Sequence, residues 1–180
     1  MSEPQSSASF PVLMRILHWL LAALLLSMLF IGAAMVTSVL DYHRLLALHR
    51  PLGITILVLA IVRLVNRKLS TLPPFPATMS ERERKIASLS ETLLYALMIG
   101  LPLVGWAMLS AGNYPIVMCG SFHLPPILPA SPALFAVLRP AHTALAYLLF
   151  FTFLGHLSAV LFHTLIVRDG LLRRMASWRK

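Results

Sequence analysis

Residues 139–160 read RPAHTALAYLLFFTFLGHLSAV, and no Lys, Arg, Asp or Glu occurs between Arg139 and Arg168. A run of this kind crosses a bilayer as a helix, because about 20 apolar residues match the hydrocarbon thickness. Two imidazoles, His142 and His156, are set into it 14 residues apart. At about 1.5 Å and 100° per residue they stand roughly 21 Å apart along the axis and within roughly 40° of the same face. One helix therefore carries two histidines on one side, near opposite membrane surfaces.

Working outward, the rest of the chain has the same character. Of its 180 residues, 58% are hydrophobic and only 12% charged, and the mean hydropathy is +0.82. Soluble domains carry about 25% charged residues. The deficit excludes a disordered chain, a coiled coil and a water-soluble globule. It predicts one all-α membrane domain, a bundle of four transmembrane helices, over residues 1–180. The spans fall at about 16–40, 45–65, 87–110 and 139–167. The first is expected to be retained: its head, MSEPQSSASF, has no Lys or Arg, and the apolar run exceeds the roughly 7–15 residues of a signal core. The single Cys119 excludes a disulfide framework and any multi-cysteine metal site.

The net charge of +9 invites a nucleic-acid reading, but the basic residues divide by connector. Arg15, Arg63, Arg67, Lys68, Arg82, Arg84, Lys85, Arg168, Arg173, Arg174, Arg179 and Lys180 fall on one side of a four-span chain, and only Arg44, Arg50 and Arg139 on the other. Basic loops favour the cytoplasm, so both termini are expected there, with no nucleic-acid partner. The connector 110–138 is nearly uncharged and holds five prolines. It is expected on the outer face as a short interfacial element with turns, either a linker or a cap.

With that topology, four histidines sort by depth. His49 and His142 lie near the outer face, His18 and His156 near the inner. Intramembrane ionisable residues mark functional sites by default. Two imidazoles from facing helices at one depth suit the axial positions of a haem iron. Zinc suits them less, since it takes about four protein ligands, or three and water. A lone histidine here would more simply bridge two helices by a hydrogen bond. His43 and His123 are expected in outer loops and outside either pair. The expected iron ligands are thus His18 with His156, and His49 with His142, holding two haem groups.

Supporting residues follow from the same logic. Haem propionates need basic partners, and Arg15 and Arg63 are placed for the inner group, Arg50 and Arg139 for the outer. Each could instead snorkel to headgroups, but Arg50 and Arg139 run against the positive-inside bias and could also steer a small anion. Gly53 and Gly155, each near a proposed ligand, would admit a macrocycle face. Glu91 and His163, near the cytoplasmic ends of the third and fourth helices, are candidates for the proton chemistry of a quinone. Trp19 and Trp106 read as interfacial anchors or as haem neighbours.

The order and spacing of these elements resemble the bacterial cytochrome b561 family of four-helix, di-haem membrane cytochromes. The resemblance rests on His18-Trp19, on His49 with Gly53 and ILVLAIVRLVNR, on LPLVGW, on His142 to His156, and on His163 with RDGLLRRM. It covers nearly the whole chain after residue 13. It implies that the first and last of the four histidines share one haem b and the middle two the other. It implies electron transfer through the membrane with quinone, and, as in a superoxide oxidase of that family, oxidation of superoxide with reduction of ubiquinone. Two departures stand out: Glu91 occupies a position near the start of the third helix where relatives often have His, and Arg50-Pro51 follows His49. Two other function classes stay open. One is a non-catalytic cytochrome b anchor subunit of a periplasmic dehydrogenase or hydrogenase. The other is a small transporter or scaffold using histidine for proton or metal transfer.

Overall fold

The computed structural model describes residues 9–118 and 122–176. Cys119, and Arg179 and Lys180 of the charge tally, lie outside the described residues. Four helices are long and apolar enough to cross a membrane. They are α1 (Val12–Thr37), α2 (Tyr42–Leu69), α3 (Glu81–Ala111) and α4 (Pro132–Phe162), the last continued by a π-helical turn over His163–Val167. A short α5 (Leu171–Ala176) follows. Between α3 and α4, strands β1 (Ile116–Val117) and β2 (His123–Leu124) pair antiparallel. The chain is an all-α membrane bundle apart from that hairpin.

The helices begin earlier than hydropathy alone predicts, and for α3 and α4 the caps explain why. Ser80 Oγ accepts the Glu83 N–H at 3.3 Å, and the Glu83 carboxylate accepts the Ser80 N–H at 2.7 Å. This reciprocal pairing satisfies two orphan donors and starts α3 at Glu81 rather than 87. Arg82, Arg84 and Lys85 therefore ride on helix, not loop. Ser131 Oγ accepts the Leu134 N–H at 3.3 Å, and Pro132 fills the first helical position, where its missing N–H is harmless. So α4 opens at Pro132 instead of 139, and the irregular connector shrinks to 112–131. The first helix likewise runs 12–37 rather than 16–40, and the second 42–69 rather than 45–65. Pro51, Pro102 and Pro140 lie inside helices, which membrane bundles tolerate.

Helices adjacent in sequence pack against each other, α1 on α2, α2 on α3 and α3 on α4. Among the described residues, α4 makes no comparable backbone contact with α1 or α2. The core is a waist of Leu21 and Leu25 from α1, Ile56 and Ala60 from α2, Tyr95, Leu97 and Met98 from α3, and Leu149 from α4. Leu149 is the one buried residue of α4.

At the far end of α4 the chain doubles back. Arg168 takes φ 55° and Gly170 φ 75°, left-handed values that terminate the helix. The reversal returns Asp169 to His163, with Asp169 Oδ2 2.6 Å from His163 Nδ1. Trp19 Nε1 donates to the Met175 carbonyl at 3.1 Å, and Arg174 Nη1 to the Pro74 carbonyl at 2.6 Å. The C-terminal segment is thereby tied to α1 and to the α2–α3 connector.

Candidate functional site

His49 is carried by α2 and His142 by α4, and their ring centroids stand 6.3 Å apart with planes at 65°. Metal–imidazole nitrogen bonds run about 2.0–2.1 Å, and a ring nitrogen lies about 1.2 Å from its centroid, so two imidazoles in line across one metal have centroids about 6.4 Å apart. Both Nδ1 atoms are buried without a hydrogen-bond partner. Buried polar groups are rarely left so, and a metal shared by the two rings fits this donor set. Arg50, one residue past His49, donates from Nη1 to the Pro115 carbonyl at 3.2 Å, pinning the hairpin segment over this end, while its buried Nε has no partner. Arg139 is exposed and lines a shallow groove with Pro140, Thr143, Ala144 and Tyr147.

At the other level, His18 of α1 and His156 of α4 are near enough to act on each other electrostatically, and Arg63 of α2 acts on both. Arg63 Nη2 lies 3.2 Å from His18 Nδ1. A guanidinium only donates, so here Nδ1 accepts and the ring proton is on Nε2. Arg63 is 9% exposed and Arg15 7%. The Arg63 guanidinium also lies over the Tyr95 ring, 5.2 Å from its centroid. Arg63 Nε, Asn66 Nδ2 and the Tyr95 hydroxyl are buried and unpartnered. Three unused donors beside two histidines form a setting for an anionic group, such as a carboxylate.

The remaining expected residues are placed as follows. Glu91 pairs with Arg67 at 2.8 Å, and His163, buried, pairs with Asp169; the two candidates for proton chemistry are not in contact with each other. A Cβ on Gly53 would meet only Met28 Cε at 3.5 Å, and one on Gly155 would meet nothing within 4 Å. His43 stacks edge-on against Tyr42, and His123 is in β2. Trp106 Nε1 donates to the Pro125 carbonyl at 2.9 Å, fastening the connector to α3. Among the described residues no group of three His, Cys, Asp or Glu could hold a metal unaided.

Four contributors escape a reading of spacing alone: Tyr95, Asn66, Arg67 and Asp169. Asn66 and Arg67 continue the ILVLAIVRLVNR run one turn past Arg63, a signal that was available. Asp169 is set almost fully out of solvent. Burial pushes its carboxyl up, but the Leu171 N–H at 3.0 Å, the His163 ring and the Thr78 hydroxyl outweigh that and hold it below the usual aspartate value.

Comparison with known proteins adds a lineage to this geometry. Residues 9–178 match the family model described as prokaryotic cytochrome b561. The chain is 29% identical over 179 residues to Cytochrome b561 homolog 2 of Escherichia coli (strain K12), covering 97% of this chain and 95% of that one. It is 31% identical over 136 residues to Cytochrome b561 homolog 1 of the same organism, covering 73% and 74% of the two chains.

Proposed function

The chain belongs to the prokaryotic cytochrome b561 family, and from that premise we propose a di-haem member spanning the bacterial inner membrane with both termini in the cytoplasm. It is a multi-pass membrane b-type cytochrome that transfers electrons. In this reading His49 and His142 hold the iron of an outer haem, and His18 and His156 that of an inner one. The observation that carries it is the 6.3 Å separation of the His49 and His142 rings, with both Nδ1 atoms left unpaired. Bound haem supplies one-electron carriers, and ligand levels roughly 21 Å apart place two of them across most of the hydrocarbon.

The surrounding residues have distinct tasks. Arg50 and Arg139 neutralise propionates at the outer level, Arg15 and Arg63 at the inner. Coordination by His18 through Nε2 would move its ring proton to Nδ1, so Arg63 must turn to another acceptor. A carboxylate answers that need and those of the unpaired Asn66 and Tyr95 donors. Gly53 and Gly155 leave room beside the ligands. At the inner end Glu91 and His163 supply protons to a quinone. At the outer end Arg50 and Arg139 draw in a small anion such as superoxide. Two superoxides would each give up one electron and leave as dioxygen, while the quinone takes two electrons and two protons.

The test is anaerobic redox titration of the visible spectrum, with His18, His49, His142 and His156 replaced by Ala one at a time. Members of each pair should abolish the same haem component. Loss of different components by His18→Ala and His156→Ala would overturn the pairing. Superoxide-driven ubiquinone reduction by the purified chain supports the finer reading, and its absence in a fully haem-loaded preparation counts against it.

A further inference from the structure

The glycines of α3 differ sharply in what surrounds them. A Cβ on Gly105 would come within 3.1 Å of His142 Cε1 and 3.4 Å of His142 Nδ1. On the same helix, a Cβ on Gly100 would meet nothing within 4 Å. The His142 imidazole therefore lies flush against backbone exposed by the missing side chain at Gly105. The Leu101 carbonyl, one turn earlier on α3, lies beside the same ring, although His142 Nδ1 makes no hydrogen bond. Pro102 stands between the two positions. The segment LPLVGW thus presents a carbonyl and a bare patch of backbone, spaced i and i+4 on one helical face.

We propose that Gly105 is a positioning residue for His142, with α3 as the seat that sets the ring's position. This rests on the reading of His142 as an iron ligand. A ligating imidazole needs its rotation and tautomer held by its other nitrogen, usually on a carbonyl or carboxylate. His142 comes from α4, whose packing runs chiefly against α3. α3 is therefore the neighbour placed to hold the ring. At 3.1 Å, any side chain at 105 must push the ring aside by a few tenths of an ångström.

The experiment compares Gly105→Ala with Gly100→Ala in the purified, haem-loaded protein. Both replacements raise helix propensity alike, so that contribution cancels. The readouts are the low-spin electron paramagnetic resonance signal and the midpoint potential of each haem component, together with the rate of haem loss to an apoprotein acceptor. Gly105→Ala should shift the signal and potential of the component that His142→Ala abolishes and speed its loss several-fold. The component abolished by His18→Ala should stay put, and Gly100→Ala should move neither. An unshifted outer component, equal shifts in both components, loss of both haems, or the same effect from Gly100→Ala would each overturn the proposal. Retention of both haems by His142→Ala would instead sink the ligand reading itself.

Discussion

Tyr95 places a phenol in the apolar waist of the bundle at 6% exposure, with its hydroxyl unpartnered. A buried donor left unpaired costs on the order of 1–3 kcal/mol. Phenylalanine would fill the same space without that penalty, so stability alone does not account for the hydroxyl. Its neighbour is the Arg63 guanidinium, which also touches His18. The hydroxyl therefore lies beside the inner histidine level, and on the proposed reading it would donate to the acidic edge of an inner haem. Tyr95→Phe should leave the melting temperature of haem-free chain unchanged or raise it, while shifting the midpoint potential of the inner haem and leaving the outer one where it was. Equal displacement of both potentials in a two-component titration would argue that the phenol acts through packing.

At the scale of elements, the π turn after α4 and the reversal at Arg168–Gly170 build a latch. His163 meets Asp169, Asp169 also accepts from Leu171 N–H and Thr78, and α5 is carried back to α1 through Trp19. The Asp169 carboxyl is held below its ordinary value of 3.8, so its ionised form is favoured in the folded chain. That contribution is complete above the unfolded value and is lost as pH falls through the lowered native one. Melting of the detergent-solubilised protein should thus separate wild type from Asp169→Asn above about pH 4 and bring them together in stronger acid. A constant gap across that range would show that the carboxylate charge contributes nothing. The ends of elements are also where the sequence was least informative on hydropathy alone. Lipid thickness dictates the apolar runs, so four helices were legible, but Ser80 with Glu83 and Ser131 with Pro132 set their starts by local hydrogen bonding that a hydropathy average blurs. Helical period placed His142 and His156 on one face. It carries no record of which neighbour that face meets, so the contacts of Gly105 with His142 and of Tyr95 with Arg63 emerged only from packing.

At the scale of the whole molecule, the apolar waist divides the two levels of histidine. Leu149 is seven residues from His142 and seven from His156, and it packs into the cluster of Leu21, Leu25, Ile56, Ala60, Tyr95, Leu97 and Met98. The waist lies between the two levels, an arrangement that separates two sites instead of joining them in one channel. Charge then gives the pile a direction. Arg63, Arg67, Lys68, Arg82, Arg84 and Lys85 cluster around the α2–α3 connector, and Arg168, Arg173 and Arg174 stand beside it through the Arg174–Pro74 bond. The opposite end holds Arg44, Arg50 and Arg139, and Arg50 is engaged with the Pro115 carbonyl. An asymmetry of that size orients a short-looped chain with its basic end in the cytoplasm. Fusions at the C-terminus should therefore make a fluorescent reporter that needs the cytoplasm glow and leave a phosphatase that needs the periplasm silent. Fusions truncated in the β1–β2 connector should do the reverse. The opposite outcome at both positions would swap which histidine pair faces the cytoplasm while leaving the pairs intact. Equal phosphatase activity at the two positions would put both on one side of the membrane, so that α4 does not cross between them, and the sorting of His18 with His156 and His49 with His142 by depth would fail with it.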